Sequence, residues 1–212
     1  MSSILRPDAE AIASRLAGAT PADDPRRVDL DSRRRWPRSW LTSAEEGLLP
    51  AGVLMPVVER PSGLTLLLTR RSRELTHHAG QVSFPGGRME SADRDIVDTA
   101  LRETEEEIGV GRDRVRIAGA LGPMPTITGY AVTPIVGILG ARTRLVLDPV
   151  EVDVAFEVPL DFVFDENNLS RTERVIEGVS VPLLEYVYAG ERIWGATAAM
   201  IARFREIMIN NN

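Results

Sequence analysis

The sequence predicts an α/β protein in which helices cover the faces of a β-sheet. Short runs of apolar and β-branched residues, among them residues 53–58 and 64–69, are separated by turn-forming residues and indicate strands. Residues 93–108 instead place apolar side chains at the i, i+4, i+7 and i+11 positions of an amphipathic helix. Because both kinds of segment occur in a mixed order, we expect a sheet packed between helices.

The N-terminal part of the chain differs from the remainder. Residues 4–17 have the apolar spacing of a helix, and the stretch that follows is polar and contains several prolines. We therefore predict a helix and a polar arm over residues 1–49, packed on a single domain formed by residues 50–212. A run of three arginines at positions 33–35 would suit an anionic partner, although most such runs form a solvated face.

Further strands and one more helix are predicted along the domain. A short strand over residues 81–84 ends at the turn sequence Pro-Gly-Gly. For the helix over residues 93–108, Asp93 is the predicted N-cap residue and Gly109 the predicted C-terminal cap. The remaining predicted strands cover residues 115–121, 131–139, 152–157, 183–188 and 192–194, and a final helix covers residues 196–208.

Composition excludes several kinds of chemistry. The chain contains no cysteine, so disulfides, thiolate metal sites and cysteine nucleophiles are excluded, which fits a reducing cytoplasm. All 25 basic residues are arginine, so mechanisms that need a lysine are excluded as well. The two histidines, His77 and His78, are too few for a multi-histidine metal site. A metal would therefore be held by carboxylate oxygens, which favour Mg²⁺, Mn²⁺ or Ca²⁺.

Charge and hydropathy narrow the classes of partner. The net charge of −6 argues against general attraction to nucleic acid. No apolar run approaches the roughly 18 to 20 residues that cross a membrane, and the first residues do not resemble a secretory signal. We therefore expect a cytoplasmic protein that binds a small molecule rather than nucleic acid or a membrane. The oligomeric state is open, with a homodimer as one candidate.

Glutamates crowd the C-terminal half of the predicted helix over residues 93–108. Glu103, Glu106 and Glu107 fall within about a 100° arc of the helix, away from the apolar stripe. Like charges at i and i+4 repel, and the helix dipole disfavours anions near the C-terminus. A divalent cation would relieve both effects, whereas a solvated acidic face is the alternative interpretation.

The residues around this helix resemble a known motif. Residues 102–110 read Arg-Glu-Thr-Glu-Glu-Glu-Ile-Gly-Val, and a glycine precedes them at position 87. This pattern resembles the Nudix box, with one extra residue between Gly87 and Arg102, which leaves open whether Asp93 or Glu90 is its first acid. The resemblance implies a Nudix-type α/β/α sandwich with a mixed central sheet. It also implies hydrolysis of a nucleoside diphosphate linked to another group, with Mg²⁺ or Mn²⁺ as cofactor.

The resemblance also implies roles for individual residues. The carboxylates of Glu103, Glu106 and Glu107, together with the backbone carbonyl of Gly86, would bind the metal. Arg102 would orient the glutamates through salt bridges. The general base of Nudix enzymes varies and often lies outside the box; Glu151 is our candidate, with a plain surface acid as the alternative.

A second motif lies upstream of the box. Residues 67–72 read Leu-Leu-Thr-Arg-Arg-Ser, and residues 84–87 read Phe-Pro-Gly-Gly. Together they are similar to the pattern of the coenzyme A pyrophosphatase branch, although Thr76 stands where that pattern has an arginine. The implied reaction converts coenzyme A, or an acyl or oxidised form, to 3′,5′-ADP and a 4′-phosphopantetheine species. The expected substrate-binding residues are Arg71, Ser72, His78 and Tyr130.

Several alternatives stay open at this point. Arg71 and Ser72 could form a strand-end salt bridge and a turn, and Phe84 and Trp194 are more simply explained as core residues. Another Nudix substrate, such as ADP-ribose, a dinucleoside polyphosphate or a damaged nucleotide, is the nearest rival. A ligand-binding module that kept the fold and lost catalysis is the rival from a different functional class.

Overall fold

A mixed eight-stranded sheet forms the centre of the protein, and a smaller three-stranded sheet lies beside it. The computed structural model describes residues 7–28, 37, 40, 47–76 and 78–209. The strands are β1 (Leu49–Arg60), β2 (Gly63–Arg71), β3 (Val82–Ser83), β4 (Gly86–Arg88), β5 (Val115–Ala120), β6 (Met124–Pro125), β7 (Tyr130–Leu139), β8 (Val152–Pro159), β9 (Ser170–Ile176), β10 (Val179–Tyr188) and β11 (Glu191–Trp194). The helices are α1 (Ala9–Arg15), α2 (Ile96–Ile108), α3 (Leu160–Phe164) and α4 (Gly195–Ile209).

The strand order of the central sheet is β3-β2-β1-β7-β5, with β4 on β1, β6 on β7 and β8 on β2. β1 and β7 run parallel, and the other pairs of the sheet are antiparallel. The smaller sheet has the order β11-β10-β9 and is antiparallel throughout. The mixed central sheet expected for an α/β protein is therefore confirmed.

Apolar side chains cover both faces of the central sheet. On one face, Ile12 of α1 and Phe204 of α4 join the largest cluster of buried residues, which also includes Phe84. On the other face, Ile96 and Ala100 of α2 pack against the sheet in a second cluster. Alternate side chains of a strand point to opposite faces, so the central strands are buried on both sides and the architecture is a layered α/β/α arrangement.

The ends of α2 are fixed by specific residues. The side chain of Asp95 accepts a hydrogen bond from the backbone N–H of Asp98, which makes Asp95 the N-cap. Gly109 ends the helix with a φ of 68°, and its N–H donates to the carbonyl of Glu105. The predicted C-terminal cap is confirmed, whereas the predicted start at Asp93 is wrong because the helix begins at Ile96.

Glycine allows α2 to lie unusually close to the sheet. A Cβ atom added at Gly52 of β1 would lie 2.5 Å from the carbonyl oxygen of Ile96. At Gly86 of β4, φ is 153°, and an added Cβ would lie 2.5 Å from the carbonyl oxygen of Gly52. No other residue fits at either contact. Gly52 therefore sets the distance between α2 and β1, whereas Gly86 lets β4 lie against β1.

Some elements differ from the sequence-based predictions. β4, β6, α3 and β9 were not predicted, and the first helix is shorter than expected within the described residues. The arginine run at positions 33–35 lies outside the described residues. Among the described residues, no helix is both long and apolar enough to cross a membrane.

Replacing Gly52 by alanine is expected to lower the free energy of unfolding by about 1–3 kcal/mol, the usual effect of overpacking. The added methyl group would collide with the backbone of α2 at Ile96, which cannot rotate away. Urea unfolding measures the change. Gly140→Ala is the matched control, because an added Cβ there meets nothing within 4 Å. Equal stability of the Gly52→Ala protein and the wild type would contradict this account of the packing.

Candidate metal and active site

The C-terminal half of α2 presents three glutamates in three different environments. Glu106 is exposed, Glu103 is partly buried, and Glu107 is only 1% exposed. Thr104 and Ile108 on the same helix are buried. We call Glu103, Glu106 and Glu107 the glutamate cluster. Glu107 is therefore buried, although the apolar pattern of the helix predicts that it lies on the polar face.

Arg102 is the centre of a hydrogen-bond network that orients this cluster. Its Nε and Nη2 donate to the two carboxylate oxygens of Asp93 at 2.8 and 3.1 Å. Its Nη1 donates to Glu103 at 2.8 Å and to Glu106 at 3.0 Å, and Nη2 also donates to the carbonyl of Arg88 at 3.2 Å. Every N–H of the guanidinium thus has an acceptor. These contacts are those expected of a residue that positions the glutamates.

Asp93 holds Arg102 in place. It is buried, and its Oδ2 also accepts hydrogen bonds from the backbone N–H of Glu90 and the hydroxyl of Thr99. The hydrogen bonds from Arg102 hold the pKa of Asp93 well below its usual range. In this structure Asp93 is the acid that pairs with the arginine of the box, whereas Glu90 contributes only its backbone. The predicted role of Asp93 as a helix N-cap is wrong because its carboxylate is used here.

The glycine turn before α2 packs directly on the cluster. An added Cβ at Gly87 would lie 2.5 Å from the Glu103 carboxyl carbon. The backbone N–H of Gly86 donates a hydrogen bond to Glu107, which favours its charged form. The carbonyl of Gly86 as a metal ligand stays a prediction.

Glu107 is an acid in an unfavourable environment. Burial raises its pKa to about 8, Glu103 and Glu151 add to the effect by charge repulsion, and Arg71 opposes it. Its Oε1 lies 3.3 Å from Nη1 of Arg71, whereas its buried Oε2 has no hydrogen-bond partner among the residues that the structure describes. A buried carboxylate oxygen without a partner is costly and points to a missing ligand.

The donor atoms suit a hard divalent cation. Burial also raises the pKa of Glu103, although Arg102 opposes the shift. As the side chains are placed, no three acidic or histidine residues in the described ranges converge enough to enclose a cation. Arginines are instead the partners of the cluster. The unpartnered oxygen of Glu107 and the all-carboxylate donor set fit Mg²⁺ or Mn²⁺ better than a softer metal.

Glu151 lies at the edge of the cluster. Its charge contributes to raising the pKa of both Glu103 and Glu107. Its backbone carbonyl accepts a hydrogen bond from the N–H of Ser72, and the N–H of Asp148 in the same loop donates to the carbonyl of Glu107. The loop is thereby tied to β2 and to α2. This placement suits a general base, a role that stays a prediction.

The other predicted substrate-binding residues have local partners. The side chain of Ser72 is buried, and its Oγ accepts from the backbone N–H of Glu74, which is the turn foreseen as the alternative. His78 is exposed, and its Nδ1 lies 2.9 Å from Oε1 of Gln81. Tyr130 begins β7 on the sheet face of Val132, opposite α2. Contacts of Ser72, His78 and Tyr130 with a substrate stay predictions.

Two surface cavities lie apart from the cluster. One of about 220 Å³ is lined in part by Val97 and Ile117. The other, of about 340 Å³, is lined in part by Arg94 and Asp95 at the start of α2. No member of the glutamate cluster lines either cavity. Charge and hydrogen bonding, rather than depth, therefore identify the functional site.

Comparisons with known proteins agree with this geometry. Residues 48–196 match the model of the NUDIX domain. The chain belongs to the Nudix family. It is 42% identical over 153 residues to a protein of Pectobacterium atrosepticum described as "Uncharacterized Nudix hydrolase NudL", covering 71% of this chain and 78% of that protein. A protein of Photorhabdus laumondii with the same description is 42% identical over 151 residues, covering 71% of this chain and 80% of the relative.

A solved structure shares the fold of this Nudix protein. The Nudix hydrolase RenU from M. smegmatis superposes with a TM-score of 0.52 at 18% identity, covering 77% of this chain and 89% of that chain. The Nudix-type mixed α/β fold is therefore confirmed. With the family assigned, the chain is a Nudix pyrophosphohydrolase that acts on a nucleoside diphosphate derivative.

Replacing Glu107 by glutamine is expected to make the metal-free protein more stable at alkaline pH. The pKa of Glu107 is about 8 in the folded protein, against an ordinary value of 4.5, so the folded state binds its proton more tightly. The stability that this group contributes is complete below its ordinary pKa and is lost as the pH rises through the folded pKa. The wild type should therefore lose stability relative to the variant, by at most about 1.4 kcal/mol per pH unit.

Urea unfolding in EDTA, at a pH below and a pH above the folded pKa of Glu107, measures this difference. Glu105→Gln is the control, because Glu105 is an exposed glutamate on the same helix. The control should follow the wild-type pH profile. Parallel pH profiles of stability for the wild type and Glu107→Gln would show that burial does not raise the pKa of Glu107.

Proposed function

We propose that this Nudix hydrolase splits the diphosphate of coenzyme A, or of its acyl or oxidised derivatives, into 3′,5′-ADP and a 4′-phosphopantetheine species. One observation carries the proposal. Arg71, from the segment that is similar to the coenzyme A branch, lies 3.3 Å from Glu107 of the glutamate cluster. The motif that suggests the substrate therefore adjoins the residues that suggest the chemistry. The relatives' descriptions support the family and leave the substrate to experiment.

We propose Mg²⁺ or Mn²⁺ as the cofactor, held by Glu103, Glu106, Glu107 and the carbonyl of Gly86. When bound, such a cation neutralises charge on the phosphoryl oxygens and lowers the pKa of a bound water. Arg102 keeps Glu103 and Glu106 oriented toward the same region. The buried Oε2 of Glu107 would gain the partner that it lacks.

The chain's own residues would perform the remaining steps. Glu151 takes a proton from the attacking water as its oxygen forms a bond to phosphorus. The bridging P–O bond breaks, and its electron pair leaves with the departing phosphate. The planar guanidinium of Arg71 would bind phosphoryl oxygens of the substrate through paired N–H groups.

A different Nudix substrate is the alternative that this chain keeps open. Thr76 is exposed and stands where the coenzyme A pattern has an arginine, so a contact to the 3′-phosphate could be weaker here. ADP-ribose, a dinucleoside polyphosphate or a damaged nucleotide would need no such contact. A ligand-binding module without catalysis would have no need for the strained acid Glu107, which argues against that reading.

Cellular location and assembly are also proposals. The absence of cysteine fits a cytoplasmic enzyme. A homodimer is the assembly that we propose, and light scattering on the purified protein would measure its mass.

Incubation of the purified protein with Mn²⁺ and coenzyme A is expected to release 3′,5′-ADP and 4′-phosphopantetheine. Chromatography of the products, beside parallel reactions with ADP-ribose and a dinucleoside polyphosphate, measures the preference. Glu107→Gln is the control, since it should fold yet give no product. Absence of 3′,5′-ADP together with turnover of another nucleotide would replace coenzyme A as the substrate while leaving the hydrolase intact.

Replacing Glu151 by glutamine is expected to lower kcat by about 10²–10⁴, the usual contribution of a general base, with KM near the wild-type value. The reason is that glutamine keeps the shape of the side chain and cannot accept the proton. Steady-state kinetics at saturating metal measures both constants. Asp153→Asn is the matched control, because this nearby exposed acid lies toward Arg70 rather than the cluster. Wild-type kcat in the Glu151→Gln protein would exclude Glu151 as the base.

A further inference from the structure

Two consecutive arginines at the end of β2 serve different parts of the molecule. Nη1 of Arg70 lies 2.5 Å from Glu191 of the smaller sheet, and its Nε lies 3.9 Å from Asp153. Nη1 of Arg71 lies 3.3 Å from Glu107 in α2. Arg70 therefore links the two sheets, whereas Arg71 faces the glutamate cluster.

The backbone of Arg71 is held by hydrogen bonds, whereas its side chain can change position. Its N–H donates to the carbonyl of Gln81, and its carbonyl accepts from the N–H of Gly80, so the backbone is fixed on both sides. The side chain is 24% exposed, whereas that of Glu107 is 2% exposed. The guanidinium therefore lies between a buried carboxylate and solvent. Its contact of 3.3 Å is longer than any of the contacts that Arg102 makes.

We propose that Arg71 is the counter-ion of Glu107 in the metal-free enzyme and that a divalent cation displaces it, which frees the guanidinium for the diphosphate of the substrate. Arg71 then couples the two sites, because metal binding at Glu107 makes its guanidinium available to bind the anion. The proposal rests on the metal-dependent hydrolase proposed above, and it does not depend on coenzyme A as the substrate.

Electrostatics supports the exchange. Two cations that compete for one buried carboxylate repel each other strongly in a medium of low dielectric constant. A divalent ion at Glu107 would outcompete a single guanidinium contact, and the unpartnered Oε2 gives it a donor that Arg71 does not use. A displaced guanidinium is a preformed site for phosphoryl oxygens. Metal binding and diphosphate binding should therefore strengthen each other reciprocally.

Mn²⁺ titration without substrate tests the first half of the proposal. Electron paramagnetic resonance of free Mn²⁺ gives the dissociation constant for the wild type, Arg71→Gln, Arg71→Lys and Arg70→Gln. Because the glutamine variant has no cation to displace, we expect it to bind Mn²⁺ about fivefold more tightly or better, the lower end of usual coupling between sites. The lysine variant keeps the charge and should stay near the wild type. The Arg70→Gln control should match the wild type.

Binding of imidodiphosphate, a non-hydrolysable diphosphate, at saturating Mn²⁺ tests the second half. Here Arg71→Gln should bind more weakly than the wild type, because the freed guanidinium is gone. Tighter metal binding together with weaker diphosphate binding is a combination that a merely structural role for Arg71 would not give, since misfolding of the cleft weakens both.

Unchanged or weaker Mn²⁺ binding in a folded Arg71→Gln protein would overturn the proposal. Circular dichroism and the melting temperature establish folding, and Arg71→Met provides the same test if the glutamine variant does not fold. Metal binding is measured without turnover. A protein that fails to hydrolyse coenzyme A but binds Mn²⁺ more tightly as Arg71→Gln would refute the substrate and support the coupling.

Discussion

The close approach of α2 to the backbone of β1 and β4 determines where the carboxylates of Glu103 and Glu107 lie. Gly52 leaves no room for a side chain between α2 and β1, and Gly87 leaves none between β4 and the Glu103 carboxylate. The same approach brings the Glu103 carboxylate against Gly87 and the Glu107 carboxylate against the N–H of Gly86. Close backbone packing, together with the apolar contacts of Ile96 and Ala100, therefore sets the geometry of the cluster.

Arginine balances the negative charge that this packing concentrates. The chain has no lysine. The planar guanidinium of Arg102 donates five hydrogen bonds, whereas an ammonium group has only three donors. Burial, and to a smaller extent repulsion between the acids, still raises the pKa of Glu103 and Glu107. The fold thus keeps acids in an unfavourable buried environment, as expected where local stability is given up for binding.

Part of the candidate site can be predicted from the sequence. The spacing of Glu103, Glu106 and Glu107 and the cap at Gly109 follow from local periodicity, which a single sequence displays. The partner of Arg102 cannot be predicted from this periodicity, because Asp93 and Asp95 are both acids at capping distance. Only the folded turn distinguishes them. The burial of Glu107 and its contact with Arg71 arise between segments far apart in the chain. β9 was missed because nearly all of its residues are exposed and show no apolar alternation.

The two arginines of the site differ in how completely they are bound, and this difference separates permanent structure from exchangeable structure. Arg102 uses every N–H on oxygen acceptors, so moving it would leave several buried or partly buried groups unpaired. Within the described part of the chain, the side chain of Arg71 has one long contact, to a carboxylate whose other oxygen has no partner there. If a cation replaces Arg71 at Glu107, few hydrogen-bonding groups are left without a partner. Arg102 is fixed and orients the metal ligands, whereas Arg71 is loosely held beside the buried ligand Glu107. A site in which metal must bind before phosphate needs both kinds of arginine.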